Sequence, residues 1–172
     1  MHYLLTTAIL ILFHFSTMAQ YTSDFETIES ESGNEPIYKG TCTFEDIRTI
    51  SAFHLDEAAD NYQPDDKAIE TLREGAQEYK LVVFLGTWCE DSHNLIPKLY
   101  KVIKEMDVNV EESLVIYALD REKKGRDNIE QQFKITNVPT IIVLKEEKEI
   151  GRITETVQKS VEQDLVNIIE KK

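Results

Sequence analysis

Apolar positions change their period several times along the chain, and each change predicts an element. Leu81 to Leu85 (LVVFL) is a continuous apolar run without alternation, as expected of a strand covered on both faces. Leu114 to Leu119 (LVIYAL) predicts a second buried strand and Ile141 to Leu144 a third, after which the charged turn KEEKE returns the chain into Ile150 to Ile153. Helical spacing separates these runs. Pro64 opens one helix, with Asp65 and Asp66 where the helix dipole favours negative charge and with Ala68, Ile69, Leu72, Ala76 and Tyr79 on its apolar face. Leu95, Ile96, Leu99, Val102, Ile103 and Met106 predict a helix from about Ser92 to Met106, kinked at Pro97. A short helix is expected from Arg126 to Phe133, and a last one carries Val157, Val161, Leu165, Ile168 and Ile169. From residue 65 the order reads α-β-α-β-α-β-β-α, an α/β chain.

Upstream the pattern is weaker. The segment IYKGTCTF from Ile37 reads as extended, and Ile47, Ile50 and Phe53 follow at helical spacing, so residues 37–64 are expected to pack on the domain as an N-terminal extension. Residues 20–36 (QYTSDFETIESESGNEP) are polar, acidic and poor in apolar anchors, which predicts a flexible lead-in. Residues 1–19 contain no Asp, Glu, Lys or Arg and are mostly apolar from Leu4 to Phe15. They read as a secretory signal peptide with small residues Ser16, Thr17 and Ala19 before the polar stretch, cleaved after Ala19. The other reading, an uncleaved anchor, falls short of the roughly 20 apolar residues a spanning helix needs. Length suits one domain with a real core, residues 65–172, rather than two.

Charge narrows the functions. The formal net charge is -13, and removing residues 1–19 would delete no ionised side chain. Such a surface repels phosphate backbones and anionic lipid, so neither nucleic acid nor membrane is an expected partner of the mature form. Export implies an oxidising periplasmic or extracellular compartment, yet the chain has only 2 cysteines, Cys42 and Cys89, too few for a structural disulfide framework.

Cys89 sits just past the first buried strand, in FLGTWCEDSH, where a helix is expected to begin. Unpaired N–H groups at a helix N-terminus favour the thiolate, the nucleophilic form. Ser92 stands where a dithiol motif would carry its second sulfur; one turn on, its hydroxyl can donate to a thiolate. His93 at i+4 could add positive charge when protonated, while Glu90 and Asp91 oppose it. A single thiol can attack a substrate disulfide, but an outside thiol, a substrate thiol or Cys42 must release the mixed disulfide. Pairing Cys42 with Cys89 would need their Cα atoms within about 7 Å. Otherwise Cys89 is a buried structural cysteine. Cys89 and His93 supply two ligands where a structural zinc site needs about four, so no metal is expected, and no motif implies a cofactor.

The element order, Trp88 directly before Cys89, Pro97 eight residues after it and Val138-Pro139-Thr140 before the third strand together resemble the thioredoxin family. The stretch FHLDEAADNYQPDD resembles the N-terminal extension of secreted bacterial members that carry a WC-x-DS motif, matched by WCEDS at Trp88 to Ser92. The resemblance implies a central mixed sheet flanked by helices, a cis Pro139 facing the active sulfur, and Trp88 and Val138 beside it as substrate-binding residues. Two positions depart from ordinary thioredoxins: Ser92 replaces the resolving cysteine, and Val83 stands where they keep a buried acid. The expected activity is therefore monothiol exchange on client protein disulfides or small thiols, isomerase-like, deglutathionylating or thiol-capturing, served by an external redox partner. The alternative is a non-catalytic module whose groove around Trp88 and Pro139 binds extended peptides.

Overall fold

A computed structural model describes residues 23–30, 35–107, 109 and 113–171. The expected signal segment, with its cleavage before Gln20, lies outside them. Six strands form one sheet: β1 (Asp24–Ile28), β2 (Ile37–Cys42), β3 (Tyr79–Leu85), β4 (Leu114–Ala118), β5 (Thr140–Lys145) and β6 (Lys148–Thr154), in the order β1-β2-β4-β3-β5-β6. Only β3 and β4 run parallel, so the sheet is mixed. The helices are α1 (Phe44–Arg48), α2 (Leu55–Asp60), α3 (Asp66–Gly75), α4 (Glu90–Met106), α5 (Ile129–Gln132) and α6 (Val161–Glu170).

The unalternating strands are sandwiched, with successive side chains serving two cores. Val83, Leu85, Ile116, Ile141 and Val143 join the apolar faces of α3, α4 and α6 in a large cluster. Val82, Phe84, Ile142 and Leu144 point the other way, into a smaller cluster with Leu119, Ile135 and Val138, against which Ile129 of α5 and Phe133 pack. At the β5–β6 turn Glu146 and Glu147 both take positive φ, 50° and 60°, the two-residue geometry that matches strand twist.

Several elements differ from their sequence pattern. Asp24–Ile28, inside the expected lead-in, is an edge strand paired with β2 from Asp24↔Thr41 to Ile28↔Ile37. Phe25 stacks on Tyr38 with ring centroids 4.1 Å apart, an apolar anchor visible only once the strands meet. Gly40 permits this pairing: its φ is 134°, and a Cβ there would lie 2.3 Å from the Asp24 carbonyl oxygen. The helix expected through Ile47, Ile50 and Phe53 divides into α1, opened by a Thr43–Asp46 capping box, and a 3-10 turn at Ser51–Phe53. Asp65, not Pro64, caps α3, accepting from Ala68 N at 2.9 Å, and Tyr79 starts β3 rather than extending that helix. The segment 126–133 breaks into a 3-10 turn and α5 because Asp127 and Asn128 are left-handed, φ 53° and 55°. α4 continues through the buried Pro97 to Met106.

Candidate functional site

β3 is hydrogen-bonded on both sides, and its last residue Leu85 leads through Gly86-Thr87-Trp88 into α4, so the loop is held by two regular elements. Cys89 is the N-cap residue of α4, half-buried at the margin of the smaller cluster. Its N–H donates to Gly86 O at 3.0 Å and its carbonyl accepts from His93 N at 3.0 Å. The thiol donates to Val138 O at 3.3 Å. The Val138–Pro139 peptide bond is cis. Thus Cys89, Trp88, Val138 and Pro139, 49 to 51 positions apart in two loops, are gathered at one end of the sheet.

Trp88 folds back over Gly86 of its own loop. Its indole N–H donates to Leu119 O at 3.0 Å, and a Cβ on Gly86 would approach the ring to 2.8 Å, so glycine is required for the indole to fold back. The Arg121 guanidinium covers the ring, 5.6 Å from its centroid. Glu90 and Asp91 are exposed in the first turn of α4.

Ser92 and His93 are placed differently from expectation. Ser92 is fully buried, and its hydroxyl oxygen accepts from Gly86 N at 3.2 Å, with no bond to the Cys89 sulfur among the described residues. His93 donates from Nε2 to Thr87 O at 2.7 Å, because a carbonyl can only accept, and its ring meets Phe53 edge-on at 4.7 Å. Both residues brace the 86–88 loop.

Cys42 is not brought to Cys89. It is completely buried in the large cluster, in register with Ile116 on β4, and no disulfide joins the two cysteines. Burial pushes its thiol far above the ordinary value, and the Asp46 carboxylate adds to the shift. A resolving role for Cys42 has no support in this arrangement.

Residues that sequence reasoning passed over complete the site. Thr87 is fully buried, donating from Oγ1 to Pro36 O at 2.8 Å and accepting from Tyr38 N at 3.2 Å, so the extension clamps the cysteine loop. Lys123 reaches from the β4 loop to Thr136 O at 2.8 Å and Asn137 Oδ1 at 3.3 Å. Asn137 in turn donates to Glu155 Oε2 at 2.8 Å, and Glu155 N donates to Pro139 O at 2.8 Å. Asp120 ties the same loop to the extension through Lys39 at 2.8 Å. A lone polar residue ending an apolar run marks Thr87; nothing local marks Lys123 or Asn137.

Comparison with known proteins bears on the family and the fold. The family description "Thioredoxin" matches residues 60–171. A curated thioredoxin of Echinococcus granulosus is 32% identical over 93 residues, covering 53% of this chain and 78% of that protein. Among solved structures, an HIV epitope scaffold superposes with a TM-score of 0.51 at 18% identity, over 70% of this chain and 83% of the other, a likeness of fold alone. A Pseudomonas aeruginosa protein of unknown function superposes with a TM-score of 0.49 at 19% identity, over 70% and 82% of the two chains.

Proposed function

Because the chain belongs to the thioredoxin family, whose chemistry is thiol–disulfide redox exchange, we propose that it is an exported single-thiol member that works through Cys89. The observation that carries the reading is the half-buried Cys89 thiol at the start of α4, 3.3 Å from the carbonyl of Val138 beside the proline loop. Deprotonated Cys89 attacks one sulfur of a substrate disulfide. A Cys89–substrate disulfide forms, and the departing sulfur takes the electron pair of the broken bond and a proton from water. With Ser92 at the position of a second thiol, release falls to a thiol from outside: a substrate thiol, a small thiol or a redox partner. Shuffling of client disulfides, removal of small-thiol adducts and thiol capture all fit that cycle. Export rests on the uncharged, apolar run from Leu4 to Phe15; a chain from the exported fraction whose intact mass begins at Gln20 supports it, and one retaining residues 1–19 refutes it.

A peptide-binding module without sulfur chemistry is the second reading. It draws on the Val138 carbonyl, which holds the thiol proton, and on the Ser92 hydroxyl bonded to Gly86. One experiment separates the two. The reduced protein and Cys89→Ala are mixed with 2-hydroxyethyl disulfide under native conditions and followed by intact mass. An adduct on Cys89 that a second thiol removes supports exchange; a Cys89 that reacts only after unfolding leaves the binding module.

A further inference from the structure

Four of the five arginines, all of them among the described residues, are spoken for. Arg48 bonds Glu45 and Asp56, Arg126 bonds Asp24, Arg152 bonds Glu149, and Arg73 caps α4 through the carbonyls of Glu105 and Met106. Arg121 is the exception. Among the described residues its guanidinium bonds no carboxylate and no carbonyl, although the chain carries 32 Asp and Glu. Its neighbour Asp120 is satisfied by Lys39 and by Lys124 N, and exposed Glu122 makes no ion pair with it.

What holds Arg121 is the indole of Trp88, the residue before the nucleophile, itself fixed through Leu119 O. The ring lies to one side of the exposed guanidinium, whose N–H groups meet no protein acceptor among the described residues. The same residue lines an open groove of about 510 Å³ with Ile28, Ile37 and three acids, Glu29, Glu122 and the Lys39-paired Asp120, with room for a small substituent.

We infer that Arg121 is a substrate-binding residue that takes a carboxylate carried a few bonds from the attacked sulfur, which makes small carboxylate-bearing disulfides the favoured substrates. The inference rests on disulfide exchange at Cys89. The planar guanidinium matches a carboxylate with two parallel hydrogen bonds, a short-range contact. Glu29 and Glu122 in the groove, with Glu90 and Asp91 on α4, oppose the approach of anions through an exposed, salt-screened field, so selectivity falls to the contact with Arg121. The step is the exchange already described: the Cys89–S–S–R bond forms, the R–S–S–R bond breaks, and the departing thiolate takes the electron pair and a proton from water.

The test uses the full reduced chain and three symmetric disulfides of similar size: 3,3′-dithiodipropionate with carboxylates, uncharged 2-hydroxyethyl disulfide, and cystamine with ammonium groups. Mixed-disulfide formation at Cys89 is timed by intact mass, with Cys89→Ala as the blank. Arg121→Gln slows the dicarboxylate by about tenfold, the effect of losing one charge-assisted hydrogen bond. It leaves the uncharged probe within about twofold and speeds cystamine. Arg121→Lys recovers part of the dicarboxylate rate, since it keeps the charge without the fork. If Arg121→Gln slows all three probes alike, or none, the carboxylate assignment is overturned and exchange at Cys89 stands. If no probe reacts with the native protein, both fall.

Discussion

Cys42 lies in the larger cluster on a paired strand, with no exposed surface, whereas Cys89 lies at the rim of the smaller cluster, at the start of a helix and against a carbonyl of a neighbouring loop. The two residues are chemically identical, and the sheet between the clusters separates their behaviour. Around Cys42 every neighbour is packed, so ionising it or reaching it requires the fold to open. Around Cys89 the packing stops on one side, and the backbone groups left over by a loop and a helix end are what the sulfur meets. A cysteine placed where regular structure ends keeps part of its surface open, and one placed on a paired strand does not.

The strongest way to break the contrast is alkylation of the native protein with iodoacetamide at neutral pH. Cys89 is expected to react at least about a thousandfold faster than Cys42, because access to Cys42 requires unfolding that costs about 5–15 kcal/mol. Comparable rates, read by peptide mass spectrometry, would erase the distinction. A second measurement sharpens it by mutating each cluster. Ile116→Ala in the large cluster and Ile142→Ala in the small one should each destabilise by roughly 2–5 kcal/mol in urea unfolding. Only Ile142→Ala should change the alkylation rate of Cys89.

Gly86→Ala should cost about 1–3 kcal/mol, since a Cβ there meets the Trp88 ring at 2.8 Å and the indole must move. Trp88 is the only tryptophan, so its emission should shift with the substitution, and an unchanged spectrum would mean that the ring does not need the glycine. The smallest effect concerns alkaline pH. Burial raises the Cys42 thiol above its ordinary 9.0, and burial together with the Glu162 hydrogen bond and charge pushes the Tyr62 phenol from 10.0 up to about 12. In both groups the folded value lies above the unfolded one. Their stabilisation is therefore full below about pH 9 and is lost as pH rises, for Tyr62 through the span from 10 to about 12. Tyr62→Phe should flatten the loss above pH 10 and Cys42→Ala the onset near pH 9; unfolding midpoints with unchanged slopes would reject the assignment.

The sequence by itself determined the three continuous apolar strands, the long helix through Met106 and the position of Cys89 at its head. Periodicity and unbroken apolar runs report which face of an element leaves water, and that depends on neighbours three or four positions away. It also marked Val138-Pro139 by resemblance to a family whose loop has that form. Tertiary structure alone decided the rest. Asp24–Ile28 carries no strong strand pattern and becomes a strand because β2 offers it an edge and Tyr38 a ring. Ser92 and His93 stand at the spacing that could serve the sulfur, and their bonds to Gly86 N and Thr87 O depend on how the loop wraps over the helix start, which spacing does not give. Thr87 meets Pro36, Trp88 meets Leu119 and Cys89 meets Val138 across 51, 31 and 49 positions. No local period encodes such pairings: each partner is chosen by where the sheet order brings two loop ends together, so the cysteine was legible in the sequence and its surroundings were not.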